Sequence, residues 1–82
     1  MCFDEIWALK YEQVCAFFEE QPGMLVHSRG HYTEERAEIT LSPLPEKRVG
    51  SLSFPQTRVR IEGDGAVEIS RRFRLRFLTA GG

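Results

Sequence analysis

Arginine recurs at alternate positions in the last third of the chain, and this spacing is the clearest chemical pattern in the sequence. The residues that share it are Arg58, Arg60, Arg72, Arg74 and Arg76. A guanidinium group presents a planar fork of donors that suits bidentate contact with a carboxylate or a phosphate. Because alternate residues of a β-strand lie on one face, the pattern predicts an arginine-rich sheet face that binds an anionic partner.

The partner class follows from the composition around these arginines. We interpret the face as the binding surface of a small non-enzymatic interaction module whose partner is an acidic protein surface, which another copy of the chain could supply. A nucleic-acid-binding module is an alternative, but the net charge is −1 and no aromatic side chains alternate with the arginines on the exposed side. A further possibility is an ordinary solvated face, in which Glu38, Glu62 and Glu68 neutralise the arginines across strands.

Two cysteines and two histidines could in principle hold a metal ion: Cys2, Cys15, His27 and His31. A zinc finger needs cysteines two to four residues apart, whereas these are thirteen apart. In an extended segment the two histidines stand about 13 Å apart, too far for one ion unless the chain turns at Arg29-Gly30. The spacing therefore predicts no metal site and no cofactor.

The motifs that would indicate an enzyme are missing from the sequence. There is no glycine-rich phosphate loop, no GxSxG elbow and no HExxH pair. Cys15 has no basic activator nearby in the sequence, and its predicted helix is rich in Glu, which does not favour a thiolate. We therefore expect no catalytic activity.

The helix and strands that must position these residues follow from hydrophobic periodicity. Trp7, Tyr11, Val14 and Phe18 form one apolar stripe of helical spacing, so a helix is predicted over residues 4–21. Asp4 is its expected N-cap. The Pro22-Gly23 pair is expected to terminate it.

After Gly23 the period changes from about 3.6 to 2, which predicts strands over residues 24–32, 36–42, 50–62 and 66–78. Between residues 57 and 77 apolar residues hold odd positions and charged residues hold even positions, whereas Leu52 and Phe54 have the opposite parity. Gly63-Asp64-Gly65 is predicted to join the last two strands as a hairpin loop. Only Arg71 breaks the alternation, which suggests a bulge or a sheet edge there.

The 82 residues, 41% of them apolar, suffice for one hydrophobic core and hence for a single domain over residues 1–82. The predicted fold class is α+β, with the N-terminal helix packed on the odd-numbered face of a three- to four-stranded antiparallel meander. The expected core consists of Phe3, Trp7, Val14, Phe18, Ile39, Leu41, Val59, Ile61, Ile69, Phe73, Leu75 and Phe77.

Charge is divided unevenly along the chain. Residues 1–41 carry three basic and eight acidic side chains, whereas residues 42–82 carry eight basic and four acidic ones. An acidic helix and a basic sheet could therefore meet between copies, or the strands at residues 66–78 could pair edge to edge, so a homodimer is expected. The longest apolar runs, such as residues 24–26, are too short for a membrane span or a signal peptide, and only two cysteines are present. We expect a cytoplasmic protein with no membrane contact.

The last four residues are Thr79-Ala80-Gly81-Gly82. A small domain ending in Gly-Gly resembles the ubiquitin-like sulfur carriers, such as the small subunit of molybdopterin synthase. The resemblance implies a terminal glycine that is adenylated and thiocarboxylated, on a thin tail that threads into the active site of a partner. Those carriers open with a β-hairpin and place their helix second, whereas the order predicted here opens with the helix.

Overall fold

The structure is a computed structural model that describes residues 2–81, with side chains described over residues 2–78. In chain order its elements are β1 (Cys2–Trp7), α1 (Tyr11–Glu19), β2 (Leu25–Ser28), β3 (His31–Glu34), β4 (Ala37–Val49), β5 (Leu52–Glu62) and α2 (Ala66–Gly81). The strands form one antiparallel sheet in the order β1-β5-β4-β3-β2. The α+β class is confirmed, but the sheet has five strands instead of three or four, and two helices cover its inner face.

The alternation predicted for the two central strands is correct. Ile39 lies opposite Ile61, and Leu41 lies opposite Val59, with all four side chains at most 5% exposed on the inner face. Branched side chains that face each other across strands pack closely on a pleated surface. The even-numbered residues of β4 and β5 accordingly form the outer, solvent-facing side of the sheet.

The chain opens with a strand, so the helix predicted over residues 4–21 is wrong in its first part. Phe3 and Trp7 face inward from β1, while Asp4 and Ile6 face outward, which is the period of a strand. Helix α1 begins only at Tyr11, after an extended Lys10 that provides no side-chain cap. Trp7 ends β1 and Tyr11 begins α1, and the two are four residues apart. This spacing matches one helical turn, so the sequence pattern was interpreted as one continuous helix.

Helix α1 is held against the sheet by apolar packing and by a partly buried hydrogen bond. Phe18 is fully buried and stacks on Tyr32 of β3, with ring centroids 6.2 Å apart. The Tyr32 hydroxyl donates to Oε2 of Glu19 over 2.6 Å and accepts from the backbone N–H of Gly30. Burial, and then the hydrogen bond to Glu19, raise the pKa of Tyr32. The fold therefore favours the neutral phenol, which can donate to the carboxylate at the end of α1.

The segment predicted as one strand over residues 24–32 is a hairpin. β2 and β3 pair across a turn at Arg29-Gly30, where Gly30 has a φ of +88°. A side chain at this glycine would meet the backbone carbonyl oxygen of Leu41 at 2.9 Å, so the turn requires the absence of a Cβ. Strand β3 then continues antiparallel to β4, with Glu34 opposite Ala37.

Strands β4 and β5 extend well past their neighbours and form a projecting hairpin. We call residues 45–54 the arm, because all of them are exposed and they pair only with one another. The strand predicted over residues 36–42 does not end there but continues through Pro43 and Pro45 to Val49. A proline is tolerated where one edge of a strand is open, and the register is irregular between Leu44 and Lys47.

The strand predicted over residues 66–78 is a helix, α2, and the predicted hairpin at Gly63-Asp64-Gly65 is instead the connection into it. Ile69, Phe73 and Phe77 are all odd-numbered, but they are also four residues apart, so they form the buried stripe of a helix. Leu75, expected in the core, is 56% exposed on the opposite side. The proposed dimer of edge-paired strands at these residues is therefore wrong. Neither helix of the described chain is long and apolar enough to cross a membrane.

Candidate functional site

Two of the five predicted arginines occupy the outer sheet face, and both are neutralised there. Arg58 donates from Nε and Nη2 to the two carboxylate oxygens of Asp4 over 2.8 and 2.6 Å. These hydrogen bonds lower the pKa of Asp4. Arg60 donates to Oε1 of Glu62 over 2.7 Å. Each of these two guanidinium groups is already paired with a carboxylate of the chain, so this face presents neutralised ion pairs to a partner.

The other three arginines lie on α2, so the five do not form the single surface that the alternation predicted. Arg72 donates to Oε1 of Gln21 over 3.1 Å and lies 3.8 Å from a carboxylate oxygen of Glu34. Arg76 lies over the ring of Phe77, with its guanidinium carbon 5.6 Å from the ring centroid. Arg74 points toward β1. The physical reason for the separation is the helical period, which sends these three side chains in different directions.

An open groove lies between α2 and the inner side of β1. Its volume is about 450 Å³. The lining residues are Phe3, Val67, Ser70, Arg71, Arg74, Leu75 and Leu78. A smaller cavity of about 170 Å³ shares Phe3, Val67 and Ser70 and extends the groove toward Cys2. Concave surfaces with apolar walls and a few polar groups are the usual form of binding sites.

The groove exists because α2 carries a second stripe besides its buried one. Val67, Arg71 and Leu75 are four residues apart, and Leu78 follows three residues later, so they lie on one side of the helix. Val67 is 53% exposed and Leu78 is 60% exposed. Exposed apolar residues that occur singly are ordinary, but a contiguous group beside a groove indicates an interaction site.

A charged network fixes one wall of the groove. Glu5 accepts a hydrogen bond from Nε1 of Trp7 over 3.1 Å and another from Arg74 over 2.8 Å. The guanidinium of Arg74 also lies 5.4 Å from the ring centroid of Phe3. Glu5 therefore ties Arg74 of α2 to β1, which orients the arginine along the groove.

Arg71 supplies the uncompensated charge of the groove. It is exposed, and among the side chains of residues 2–78 it forms no ion pair. Two arginines line the groove, and Glu5, outside the lining, neutralises Arg74, so one positive charge, that of Arg71, is left without a carboxylate. A carboxylate that entered the groove would meet Arg71 without displacing an existing partner.

The predicted absence of a metal site rested on separation along the chain, and the hairpin changes that geometry. The turn at Arg29-Gly30 brings the rings of His27 and His31 to a centroid distance of 4.9 Å. Each already has a partner: His27 lies 2.6 Å from the hydroxyl of Thr33, and His31 lies 2.8 Å from Oε2 of Glu38. Over the described part of the chain, no group of three or more potential ligands could hold a metal ion.

The cysteines are separated by the fold. Cys2 is exposed on β1 and Cys15 is buried in α1, and both are free thiols.

Of the Gly-Gly pair, only the helical backbone of Gly81 is described, and Gly82 lies outside the described residues. The geometry of the groove therefore depends on β1 and on α2 up to Leu78.

Residues 5–82 match the model of a family described as archaeal MoaD-like protein. The chain belongs to this family. The match covers almost the whole sequence, from within β1 through every later element to the Gly81-Gly82 pair. The MoaD-like assignment therefore rests on far more than the four-residue tail from which the sequence resemblance was drawn. No curated protein matches the chain.

The groove of this MoaD-like chain was not identified from the sequence. The pattern that could have revealed it is the four-residue spacing of Val67, Arg71 and Leu75, which is a helical stripe of mixed chemistry. The same odd numbering also fits the face of a strand, and the strand interpretation hid the stripe. Glu5 and Arg74 are 69 residues apart, so their pairing could not be predicted without the fold.

Proposed function

We propose that this MoaD-like chain is a non-enzymatic interaction module that binds an apolar segment of a partner protein in the groove between α2 and β1. The observation that supports the proposal is the open apolar groove with Arg71 at its wall. Desolvated apolar contacts supply most of the binding free energy at such surfaces, and a charged group selects the partner. The preferred segment carries a carboxylate that pairs with Arg71.

The outer sheet face is a weaker candidate for the same role. Arg58 and Arg60 are each bonded to a carboxylate of the chain itself, so an acidic partner would have to replace an existing ion pair. Exposed ion pairs contribute little net free energy, and exchanging one for another gives little affinity. The same pairing weakens the case for nucleic acid on that face, where unneutralised arginines would be needed.

We predict that Arg71→Glu abolishes capture of a partner from an extract of the cells that make the protein naturally. The substitution places a negative charge where the partner carboxylate is expected, and like charges repel. Affinity capture followed by mass spectrometry measures the result. Arg48→Glu in the arm is the matched control, because it makes the same charge change at an exposed residue far from the groove.

Arg60→Glu extends this comparison to the outer sheet face. The groove proposal expects one protein to be retained by the wild type, Arg48→Glu and Arg60→Glu and to be lost with Arg71→Glu. If Arg71→Glu still captures the partner protein and Arg60→Glu does not, the binding surface is the outer sheet face and the groove proposal is wrong. Circular dichroism of each variant establishes that the fold is intact.

A sulfur carrier is a second candidate, and the extent of the family match favours it, because the match runs through residue 82 and includes Gly81-Gly82. The order of helices and strands differs both from that of the carriers, which open with a β-hairpin, and from the helix-first order predicted from the sequence. The chain opens with one strand, β1, and not with a helix, but its hairpins follow α1. The carrier role requires Gly82 to bear the terminal carboxylate.

For the carrier role we predict that the natively produced protein contains a fraction in which one carboxylate oxygen of Gly82 is replaced by sulfur. Intact-mass spectrometry of freshly purified protein detects the exchange, and alkylation of the thiocarboxylate followed by fragmentation locates it. A variant lacking Gly82 is the control and should show no such fraction. If the native protein carries only oxygen at a Gly82 carboxylate in cells with an active sulfur-transfer system, the carrier role is excluded.

A further inference from the structure

We infer that the partner binds by adding a sixth strand to the sheet along β1, so that its alternate side chains enter the groove. This inference rests on the proposed function and specifies the class of partner: an extended segment that alternates apolar with other residues and bears one carboxylate. Strand addition at a sheet edge beside a helix lets backbone hydrogen bonds provide affinity while the groove selects side chains.

One edge of β1 is open for pairing with another strand. It is the outermost strand, and it pairs along its whole length from Cys2 to Trp7 with β5 alone. The backbone groups on its other side therefore have no strand partner within the described sheet. Six residues of strand extend about 20 Å, which is long enough to order a segment of similar length.

The groove lies where the side chains of a strand added to β1 would point. An added strand would lie about 4.8 Å from β1, with successive side chains pointing to opposite faces of the sheet. Side chains on the inner face would enter the groove toward Phe3, Val67 and Leu78. Side chains on the outer face would lie beside Ile6, which is 58% exposed. The segment would thus cover apolar surface on both faces of the sheet.

The charges select the segment. Of the two arginines that line the groove, Arg71 has no ion pair among the described side chains, and Arg74 is held by Glu5. One inward carboxylate therefore complements the groove. On the outer face Asp4 is committed to Arg58, so residues next to it need no charge.

A second copy of the chain fits this edge less well. Residues directly opposite in an antiparallel pair lie on the same face, so two copies of β1 related by a two-fold axis meet in a limited number of registers. The two central registers place Asp4 opposite Asp4 or Glu5 opposite Glu5. Like charges directly opposite destabilise a strand pair, so β1 is protected against pairing with itself.

The opposite edge of the sheet is less suited to strand addition. β2 has only four residues, and its register with β3 is irregular between Val26 and Ser28. Leu25 and Val26 are exposed there, but neither lines one of the two cavities beside β1. β2 therefore serves as the matched control edge.

The test uses the full chain and an array of synthetic hexapeptides in which Thr alternates with Val, Ile or Leu and one apolar position is replaced by Glu. We expect binding by a subset of these peptides, and a loss of affinity of about tenfold or more when that Glu becomes Lys or when Val67 becomes Glu. Two N-methylated versions of each peptide are compared, one methylated at the odd-numbered residues and one at the even-numbered residues. Only the version that methylates the N–H groups facing β1 should lose binding. Leu25→Glu at the β2 edge should leave affinity unchanged.

Hydrogen exchange distinguishes strand addition from other uses of the groove. With peptide bound, we expect the amides of residues 2–7 that point away from β5 to become protected and those of residues 25–28 to exchange as before. Peptide binding that depends on Arg71 but is insensitive to N-methylation and leaves β1 exchange unchanged would overturn strand addition while preserving the proposed function. Binding by no member of the array, or a concentration-dependent dimer that protects β1 without peptide, would also overturn it.

Discussion

Replacing Phe73 by Ala is expected to lower the free energy of unfolding by about 3 to 5 kcal/mol, the range for removing a buried aromatic side chain. Phe73 is fully buried at the centre of an aromatic cluster that joins both helices to β1. Its ring contacts those of Phe3, Trp7, Phe17, Phe18 and Phe77, with the closest centroids 4.9 Å apart. A cavity here would separate three elements at once.

Denaturant unfolding followed by tryptophan fluorescence measures this loss, since Trp7 packs against Phe73. Leu75→Ala is the matched control, two residues along the same helix and 56% exposed. Its expected cost is below about 1 kcal/mol. A strand over residues 66–78 would place both side chains on one face and give them similar costs, so equal losses would contradict the helix.

Gly63→Ala is expected to lower the free energy of unfolding by about 2 to 3 kcal/mol, through backbone strain and a weakened hydrogen bond. Gly63 has a φ of +112°, and a Cβ there would lie 2.5 Å from the backbone carbonyl oxygen of Arg36. That oxygen accepts from the N–H of Gly65 over 2.8 Å, which ties the start of α2 to the β3–β4 turn. The backbone must shift to admit the methyl group.

Gly50→Ala separates the two contributions. Gly50 also has a positive φ, of +62°, but nothing lies within 4 Å of an added Cβ. Its expected cost is roughly 1 kcal/mol, from conformational strain alone. Thermal or denaturant unfolding of both variants provides the comparison. If the two substitutions cost the same, the close approach of Arg36 to Gly63 does not constrain the fold.

The central strands could be predicted from the sequence because only one period fits them. Ile39, Leu41, Val59 and Ile61 alternate strictly with polar residues, and all four lie in the core. The two residues of each pair are two positions apart, a spacing that would place them on opposite sides of a helix. The inner and outer faces of β4 and β5 therefore followed directly from the alternation.

Helix α2 could not be separated from a strand by parity alone. Ile69, Phe73 and Phe77 satisfy a period of two and a period of about 3.6 equally well, because four is a multiple of two and close to one helical turn. Arg71 was the residue that distinguished them. Its charge at an odd position is an anomaly in a strand, but in a helix it lies away from the core.

The binding surface was predicted in the wrong place for a related reason. A sequence shows which residues can carry charge, but not which charges the fold neutralises. Arg58 meets Asp4 and Arg74 meets Glu5 only because β1 lies between β5 and α2 in the folded chain. Arg71 became the important cation through the absence of such a neighbour among the described side chains.

The arm gives the protein two levels of local stability. Residues 45–54 are exposed and paired only with each other, whereas the body of the sheet is covered by two helices. Isolated two-stranded ribbons are marginally stable in water, so this hairpin can melt and re-form while the core remains intact. The tip at Gly50-Ser51 is consequently the place where an affinity tag or a fluorophore can be inserted without disturbing the groove, which lies on other elements.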